Sequence, residues 1–201
     1  IALQAKEQGI NVSVHEAQTV IDAIFQMYPE LMPFFNEAKS RAKNEKWLCN
    51  CFGRLRRFPT TSDYKLEGEF ERQAMNFPIQ GMIASCLDRG VAILTHARDE
   101  LVGTYGERIF DWQLTIHDAI LLRAKPKYVD YICRQLIPWA MCESVPIYPT
   151  TLDGVPTGQG PYFLGTDVEV AEWWGEKLTQ ARCAELGIPR EYGKVEHGQA
   201  A

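Results

Sequence analysis

The most restrictive feature of this sequence is a pair of short apolar runs with only two polar residues between them. The runs extend from Ile109 to Ile116 and from Ala119 to Ala124, and His117 and Asp118 separate them. Runs of this length and composition are typical of strands, and a two-residue connection permits only a tight antiparallel hairpin. We therefore expect a hairpin with Asp118 exposed at its turn.

A carboxylate held at the tip of a rigid hairpin has two interpretations. It suits a divalent cation, because hard cations such as Mg²⁺ take oxygen ligands. It is also a favourable turn residue, because the Asp side chain bonds to the nearby backbone and tolerates turn conformations. The hairpin alone leaves both interpretations open for Asp118.

A long helix is predicted before the hairpin, from about Glu69 to Leu101, and we expect the hairpin to pack on it. Pro78 predicts a kink or a brief break, because proline removes a backbone hydrogen bond. Arg72, Asn76 and Gln80 recur at every fourth residue, so their side chains project from one face. One cation and two amides suit contacts with phosphates and base edges, although a solvated helix face can carry the same residues.

The other predicted elements are local helices and one further hairpin. A capping box, Ser13-x-x-Glu16, indicates the start of a helix that Pro29 ends. The remaining predictions are a helix over about 30–46, a hairpin over 47–58 around Gly53, a polar loop over 59–68, a helix over 126–142 and a helix over about 170–186.

The charge of the chain is uneven. The formal net charge is -5, which does not indicate a generally basic nucleic-acid-binding protein. Residues 39–57 nevertheless hold seven Lys or Arg, among them Arg54, Arg56 and Arg57, against one acid. A basic stretch within an acidic chain is consistent with phosphate contacts, and equally with a solvated helix and turn.

The cysteines and the ends of the sequence carry weaker signals. Cys49-x-Cys51 has no second pair to complete a zinc site, so we expect the six cysteines to be buried free thiols of a cytosolic protein. No apolar run is long enough to span a bilayer and no signal peptide is visible, so no membrane association is predicted. The first residue, Ile1, suggests that upstream residues have been removed or were not sequenced.

In combination, these features resemble the palm of family A DNA polymerases, the family of bacterial DNA polymerase I. A helix reading Glu-Arg-x-x-x-Asn-x-Pro-x-Gln-Gly over 71–81 is followed by a strand, His117-Asp118 and a second strand. Gly53-Arg54 resembles the Gly-Arg hairpin that precedes the family's palm helix, and residues 11–29 are similar to the segment after its nucleotide-binding fingers helix. The similarity covers about residues 10–143, and the compact, divergent palm indicates a phage-type polymerase.

The resemblance implies an α+β fold, in which a palm with an antiparallel His-Asp hairpin packs on long helices beside the last helices of the fingers. Residues 1–48 would belong to the fingers and residues 49–201 to the palm. The implied activity is DNA-directed DNA synthesis, with primer-template DNA and deoxynucleoside triphosphates as partners and Mg²⁺ as cofactor. The implied location is the cytoplasm of a bacterial or phage-infected cell.

The resemblance also implies a role for each site residue. Asp118 would bind the catalytic magnesium, and His117 would lie against the terminal nucleotide of the primer. Arg72 and Gln80 would contact the minor groove and backbone of the primer-template, with Asn76 helping to position the template strand. Arg54 would contact the nucleic acid beside them.

Two departures from the family pattern limit what the chain is expected to do alone. Ala119 follows His-Asp where the family usually has Glu, which predicts altered metal handling. The family's other metal-binding Asp and its nucleotide-binding helix would lie upstream of Ile1, so we expect activity only with that missing N-terminal portion. The chain would then be a truncated gene product or half of a split polymerase. The alternatives are the palm of a single-subunit RNA polymerase and a non-catalytic nucleic-acid-binding scaffold.

Overall fold

The structure, a computed structural model, describes residues 13–173, 176–189 and 192–195, and it has an α+β fold. The chain divides into two compact units. The first comprises the residues up to 48 together with 55–77, and the second comprises 49–54 together with the residues from 78 onward. The functional division into fingers (1–48) and palm (49–201) is a separate matter, and it stays a prediction.

The first unit begins with two helices, α1 (Val14–Met27) and α2 (Leu31–Asn44). The predicted capping box is present at the start of α1. The backbone N–H of Glu16 donates to Ser13 Oγ at 3.2 Å, and the backbone N–H of Ser13 donates to Glu16 Oε2 at 2.8 Å. The hydrogen bonds that Ser13 donates to this carboxylate, from its backbone N–H and from its hydroxyl, lower the pKa of Glu16, because they favour the charged form.

A two-stranded sheet and the longest helix follow. Strand β1 (Trp47–Cys49) pairs with β2 (Leu55–Arg57), and α3 runs over Tyr64–Tyr105. The predicted loop over 59–68 is therefore too long, because Asp63 starts the helix by accepting the backbone N–H of Lys65 at 2.8 Å. The helix is also continuous through Pro78, so no break occurs there.

The second hairpin consists of β3 (Phe110–Ile116) and β4 (Ala119–Ala124) in antiparallel pairing. The register joins Ile116 to Ala119 beside the turn and Phe110 to Ala124 at the base, with an irregularity between Trp112 and Leu114. A bulge of this kind bends a strand and increases its twist.

The base of this hairpin is fixed in the main apolar core of the second unit. Ile109 is 1% exposed and Phe110 is 2% exposed, and both pack with Leu94 and Ala97 of α3. The cluster is completed by Ile132, Leu136 and Ala140. Because these buried side chains pack closely, they fix where β3 leaves the core, so the hairpin is anchored on α3.

The chain after β4 is helical but irregular. It consists of a 3₁₀ turn (Pro126–Tyr128), an α turn (Val129–Tyr131) and two π-helical turns (Ile132–Leu136 and Trp139–Glu143). The helix predicted over 126–142 is thus present in a looser form. Gly90 of α3 packs so closely on Met141 that a Cβ at residue 90 would overlap the Met141 sulfur.

The helix predicted over about 170–186 is wrong in its first half. Strand β5 (Thr166–Val168) pairs with β8 (Gly193–Val195), and β6 (Ala171–Trp173) pairs with β7 (Glu176–Lys177). Only α4 (Gln180–Leu186) is helical. Thr179 starts α4 by accepting the backbone N–H of Arg182 at 3.2 Å, which is a signal for a later helix start.

Candidate active site and nucleic-acid interface

The turn of the β3–β4 hairpin presents His117 and Asp118 to solvent. His117 has a φ of +53°, in the left-handed region that non-glycine residues seldom adopt. Within the described part of the chain, neither side chain makes a hydrogen bond or an ion pair. Both are therefore available to a ligand.

The hairpin is anchored on one face and exposed on the other. Ile120, Leu122 and Ala124 pack against the core cluster, whereas Leu114 and Leu121 are 47% and 36% exposed. Because Ile120 and Leu122 pack on the core, the position of Asp118 depends on packing that begins two residues along β4. A carboxylate supported in this way can serve as a ligand with little reorganisation.

Asp118 supplies one carboxylate and not a complete metal site. Among the described residues, no group of three or more His, Cys, Asp or Glu side chains is arranged to hold a metal ion. Asp111, on β3, lies 3.6 Å from Arg108 and 3.5 Å from Arg123 in ion pairs. A Mg²⁺ ion prefers six oxygen ligands, so Asp118 fits as one ligand among others that these residues do not supply.

The three predicted DNA-contacting residues of α3 are all exposed. Arg72 and Asn76 belong to the first unit, and Gln80 belongs to the second. Their spacing of four residues on a continuous helix is the spacing of side chains on one face. In the portion of the chain that the structure describes, none of the three makes a side-chain hydrogen bond or an ion pair.

Arg54 is placed differently, in a turn over residues 50–54 that is attached to α3. Its guanidinium forms an ion pair with Asp88. No hydrogen bond or ion pair joins Arg54 to His117 or Asp118 in the described ranges. Arg56 and Arg57 of the basic stretch lie in the first unit.

Asn50 and Ser85, which the sequence did not indicate as important, hold this turn in place. Asn50 is 2% exposed, and its Oδ1 accepts the backbone N–H groups of Phe52 and Arg54, each at 3.0 Å. Its Nδ2 donates to Ser85 Oγ at 3.2 Å, and Ser85 Oγ donates to the Gly81 carbonyl at 2.8 Å. The feature of the sequence that could have indicated this role is a polar residue between two cysteines, next to a glycine turn.

The cysteines do not form part of this site. All six thiols are free, and five of them are buried. Burial raises the pKa of Cys86 to about 11 and that of Cys133 to about 12, because desolvation disfavours the thiolate. Such thiols are poor nucleophiles at neutral pH.

Comparison with known proteins decides the family. The model of DNA polymerase family A matches residues 3–154, which is most of the chain. This chain belongs to DNA polymerase family A. The match includes the helix with Arg72 and the His117-Asp118 turn, and it favours the DNA polymerase over the single-subunit RNA polymerase that the sequence left open.

Several curated family A members are similar to the chain. DNA polymerase I of Bacillus caldotenax is 28% identical over 141 residues, which are 69% of this chain and 15% of that protein. The DNA polymerase of Bacillus phage SP01 is 27% identical over 119 residues, or 58% of this chain and 12% of that protein. The family A chain therefore spans about 15% of the length of these bacterial relatives.

A solved structure has the same fold. The POL domain of Pol1 from M. smegmatis, in a complex with DNA primer-template and dNTP, matches with a TM-score of 0.57 and 22% identity. The match covers 76% of the family A chain and 25% of the other chain. None of the helices that the structure describes is both long enough and apolar enough to cross a membrane.

Proposed function

We propose that this chain supplies the palm and the last fingers helices of a DNA-directed DNA polymerase. The reaction is template-directed transfer of a nucleotide to a primer 3′-hydroxyl, with pyrophosphate as the leaving group. The observation that carries the proposal is the exposed His117-Asp118 turn on an anchored hairpin, in a chain of family A. The proposed location is the cytoplasm of a bacterium or of a phage-infected cell.

In this proposal the two parts of the chain keep the assignments that were predicted from the sequence. Residues 1–48 belong to the fingers and residues 49–201 to the palm. Primer-template DNA and deoxynucleoside triphosphates are the proposed partners, as in the complex of the M. smegmatis domain. The further partner is the part of a polymerase that this chain, at 15% of the bacterial relatives' length, does not cover.

Asp118 is the proposed magnesium ligand of this chain. Bound magnesium ions would stabilise the charge that develops on the phosphoryl oxygens during nucleotidyl transfer. Asp118 can contribute its carboxylate without breaking any hydrogen bond or ion pair to the described residues. The remaining oxygen ligands must come from substrate, water and the other polymerase segments, because a single carboxylate holds two metals poorly.

His117, Arg72, Asn76, Gln80 and Arg54 are the proposed nucleic-acid contacts. His117 lies beside Asp118 in the turn, where a primer end must be if Asp118 holds the metal. Arg72 carries a charge with no carboxylate partner in the described structure, so it can bind a phosphate without giving up an ion pair. The exposed amides of Asn76 and Gln80 can donate to minor-groove acceptors of any base pair, which suits binding that is independent of sequence.

A non-catalytic DNA-binding scaffold is the second candidate. It is favoured by one observation, the presence of Ala119 where the family usually has a second acid beside Asp118. Such a scaffold would bind a primer-template duplex as the polymerase does, but magnesium would not change that binding through Asp118. Duplex binding therefore tests what the two candidates share, and nucleotide incorporation separates them.

Replacing Arg72 by Ala is expected to weaken binding of a labelled primer-template duplex about equally for all sequences. The reason is that a phosphate contact carries no sequence information and releases a counterion. The slope of log affinity against log salt should therefore fall by about one. Fluorescence anisotropy between about 50 and 200 mM salt measures both quantities.

The control for this experiment is Arg134→Ala. Arg134 is an exposed arginine outside α3 that pairs with Asp130, so its removal changes the net charge by the same amount. It should leave the salt slope at the parent value. Binding of the Arg72→Ala variant that equals the parent at low salt would remove Arg72 from the interface.

A further inference from the structure

The turn over residues 50–54, called here the Arg54 turn, has a backbone fixed by buried hydrogen bonds. Asn50 binds the backbone N–H groups of Phe52 and Arg54 and is itself bonded to Ser85 of α3. Asn50 is 2% exposed and Ser85 is 6% exposed, so water cannot readily replace these bonds. The backbone of Arg54 therefore has a defined position on α3.

The side chain of Arg54 is also restrained, by the carboxylate of Asp88 on α3. Its Nη2 binds Asp88 Oδ2 in an ion pair, with the two side chains 43% and 66% exposed. The next residue, Arg89, places its guanidinium 4.4 Å from the centroid of the Phe52 ring. Asp88 is thus bonded to the arginine that the Arg54 turn supplies, whereas Arg89 lies over the Phe52 ring.

We propose that Asp88 is a positioning residue that competes with DNA phosphate for Arg54. This inference rests on the proposed DNA-binding function and deepens it. Carboxylate and phosphate use the same guanidinium donors, so Arg54 can bind a backbone phosphate only by leaving Asp88 or by sharing its N–H groups. The competition tunes duplex affinity downward without abolishing it, because an exposed ion pair is weak.

The direct test is the isosteric substitution Asp88→Asn in the full chain. The amide keeps the size of the side chain and removes the charge that holds Arg54. We expect a labelled primer-template duplex to bind about twofold to fivefold more tightly at low salt, the range that the strength of an exposed ion pair implies. The gain should shrink as salt rises, because salt screens exposed charges.

Asp99→Asn is the matched control for the change in net charge. Asp99 is an exposed carboxylate eleven residues further along α3, and it pairs with Arg98 as Asp88 pairs with Arg54. At about 1.5 Å per residue it lies more than a Debye length from Asp88 at physiological salt. Its substitution is expected to leave duplex affinity within a factor of about 1.5, because screening removes most of the long-range effect.

The decisive comparison repeats Asp88→Asn in an Arg54→Ala background, as a double-mutant cycle. If Asp88 acts through Arg54, the gain in affinity disappears in that background. A gain of equal size with and without Arg54, an equal gain from Asp99→Asn, or no gain at all would overturn the proposal. Absence of duplex binding by every variant, the parent included, would instead reject the proposed function itself and this inference with it.

Discussion

Replacing Asp118 by Asn is expected to lower nucleotide incorporation by about a thousandfold or more, equivalent to about 4 kcal/mol of activation free energy. The measurement uses this chain together with the polymerase segments that it does not cover. The asparagine keeps the shape of the side chain, and it removes the charge that binds a cation. Because Asp118 is exposed and its side chain makes no hydrogen bond or ion pair with the described residues, the substitution should leave the melting temperature unchanged.

Ala119→Glu is the companion substitution at the same turn. It restores the acid that the family usually has after His-Asp, at the first residue of β4, where Ala119 is exposed and a larger side chain has room. We expect this variant to fold normally and to incorporate nucleotides at least as fast as the parent. Near-parent incorporation by Asp118→Asn, measured by primer extension under the same conditions, would show that the active site lies elsewhere.

Leu94→Ala is expected to lower the free energy of unfolding by about 3 kcal/mol, within the range of about 2 to 5 kcal/mol found for buried leucines. Leu94 is 1% exposed and lies in the cluster where α3 holds Ile109 and Phe110 at the base of the hairpin. The truncation leaves a cavity at the anchor of the site. Chemical denaturation followed by circular dichroism measures the change.

Leu114→Ala is the control on the same hairpin. Leu114 is 47% exposed, so its truncation should change the free energy of unfolding by less than about 0.5 kcal/mol. Equal losses from the two substitutions would mean that the hairpin tip is as tightly packed as its base. In that case, Leu114 would not lie on the exposed face of the hairpin.

The sequence predicted those parts of the fold that local chemistry determines. The β3–β4 hairpin follows from two apolar runs with only His117 and Asp118 between them, since no other connection fits in two residues. The start of α1 follows from Ser13 and Glu16, whose reciprocal hydrogen bonds need no tertiary contact. The family resemblance rested on the same short-range patterns, and the family match confirms it.

Tertiary packing decided the parts that the sequence did not predict. Proline removes a backbone hydrogen bond, yet helix α3 continues through Pro78. Buried residues precede and follow Pro78 in the helix, among them Ala74 and Leu87, and their packing holds the helix together. Residues 171–173 and 176–177 form strands because β6 and β7 pair with each other, and β5 pairs with the distant β8. Pairing across such distances leaves little local trace in a sequence.

The candidate site shows the same division between local and tertiary information. The exposed positions of Arg72, Asn76, Gln80 and Asp118 agree with their helical or turn spacing. The ion pair between Arg54 and Asp88 and the support of Asn50 by Ser85 join residues more than thirty positions apart. A single sequence contains both members of such pairs but does not show that they meet.

The most direct test of the account is primer extension on a defined template with magnesium and all four deoxynucleoside triphosphates. The chain is assayed alone, and then in combination with the polymerase segments of its own source that it does not cover. We predict no extension by the chain alone, because Asp118 is the one catalytic carboxylate that we assign to it, and we predict template-directed extension by the combination. Extension by the chain alone, or none by a combination that forms a stable complex and binds the duplex, would contradict the account.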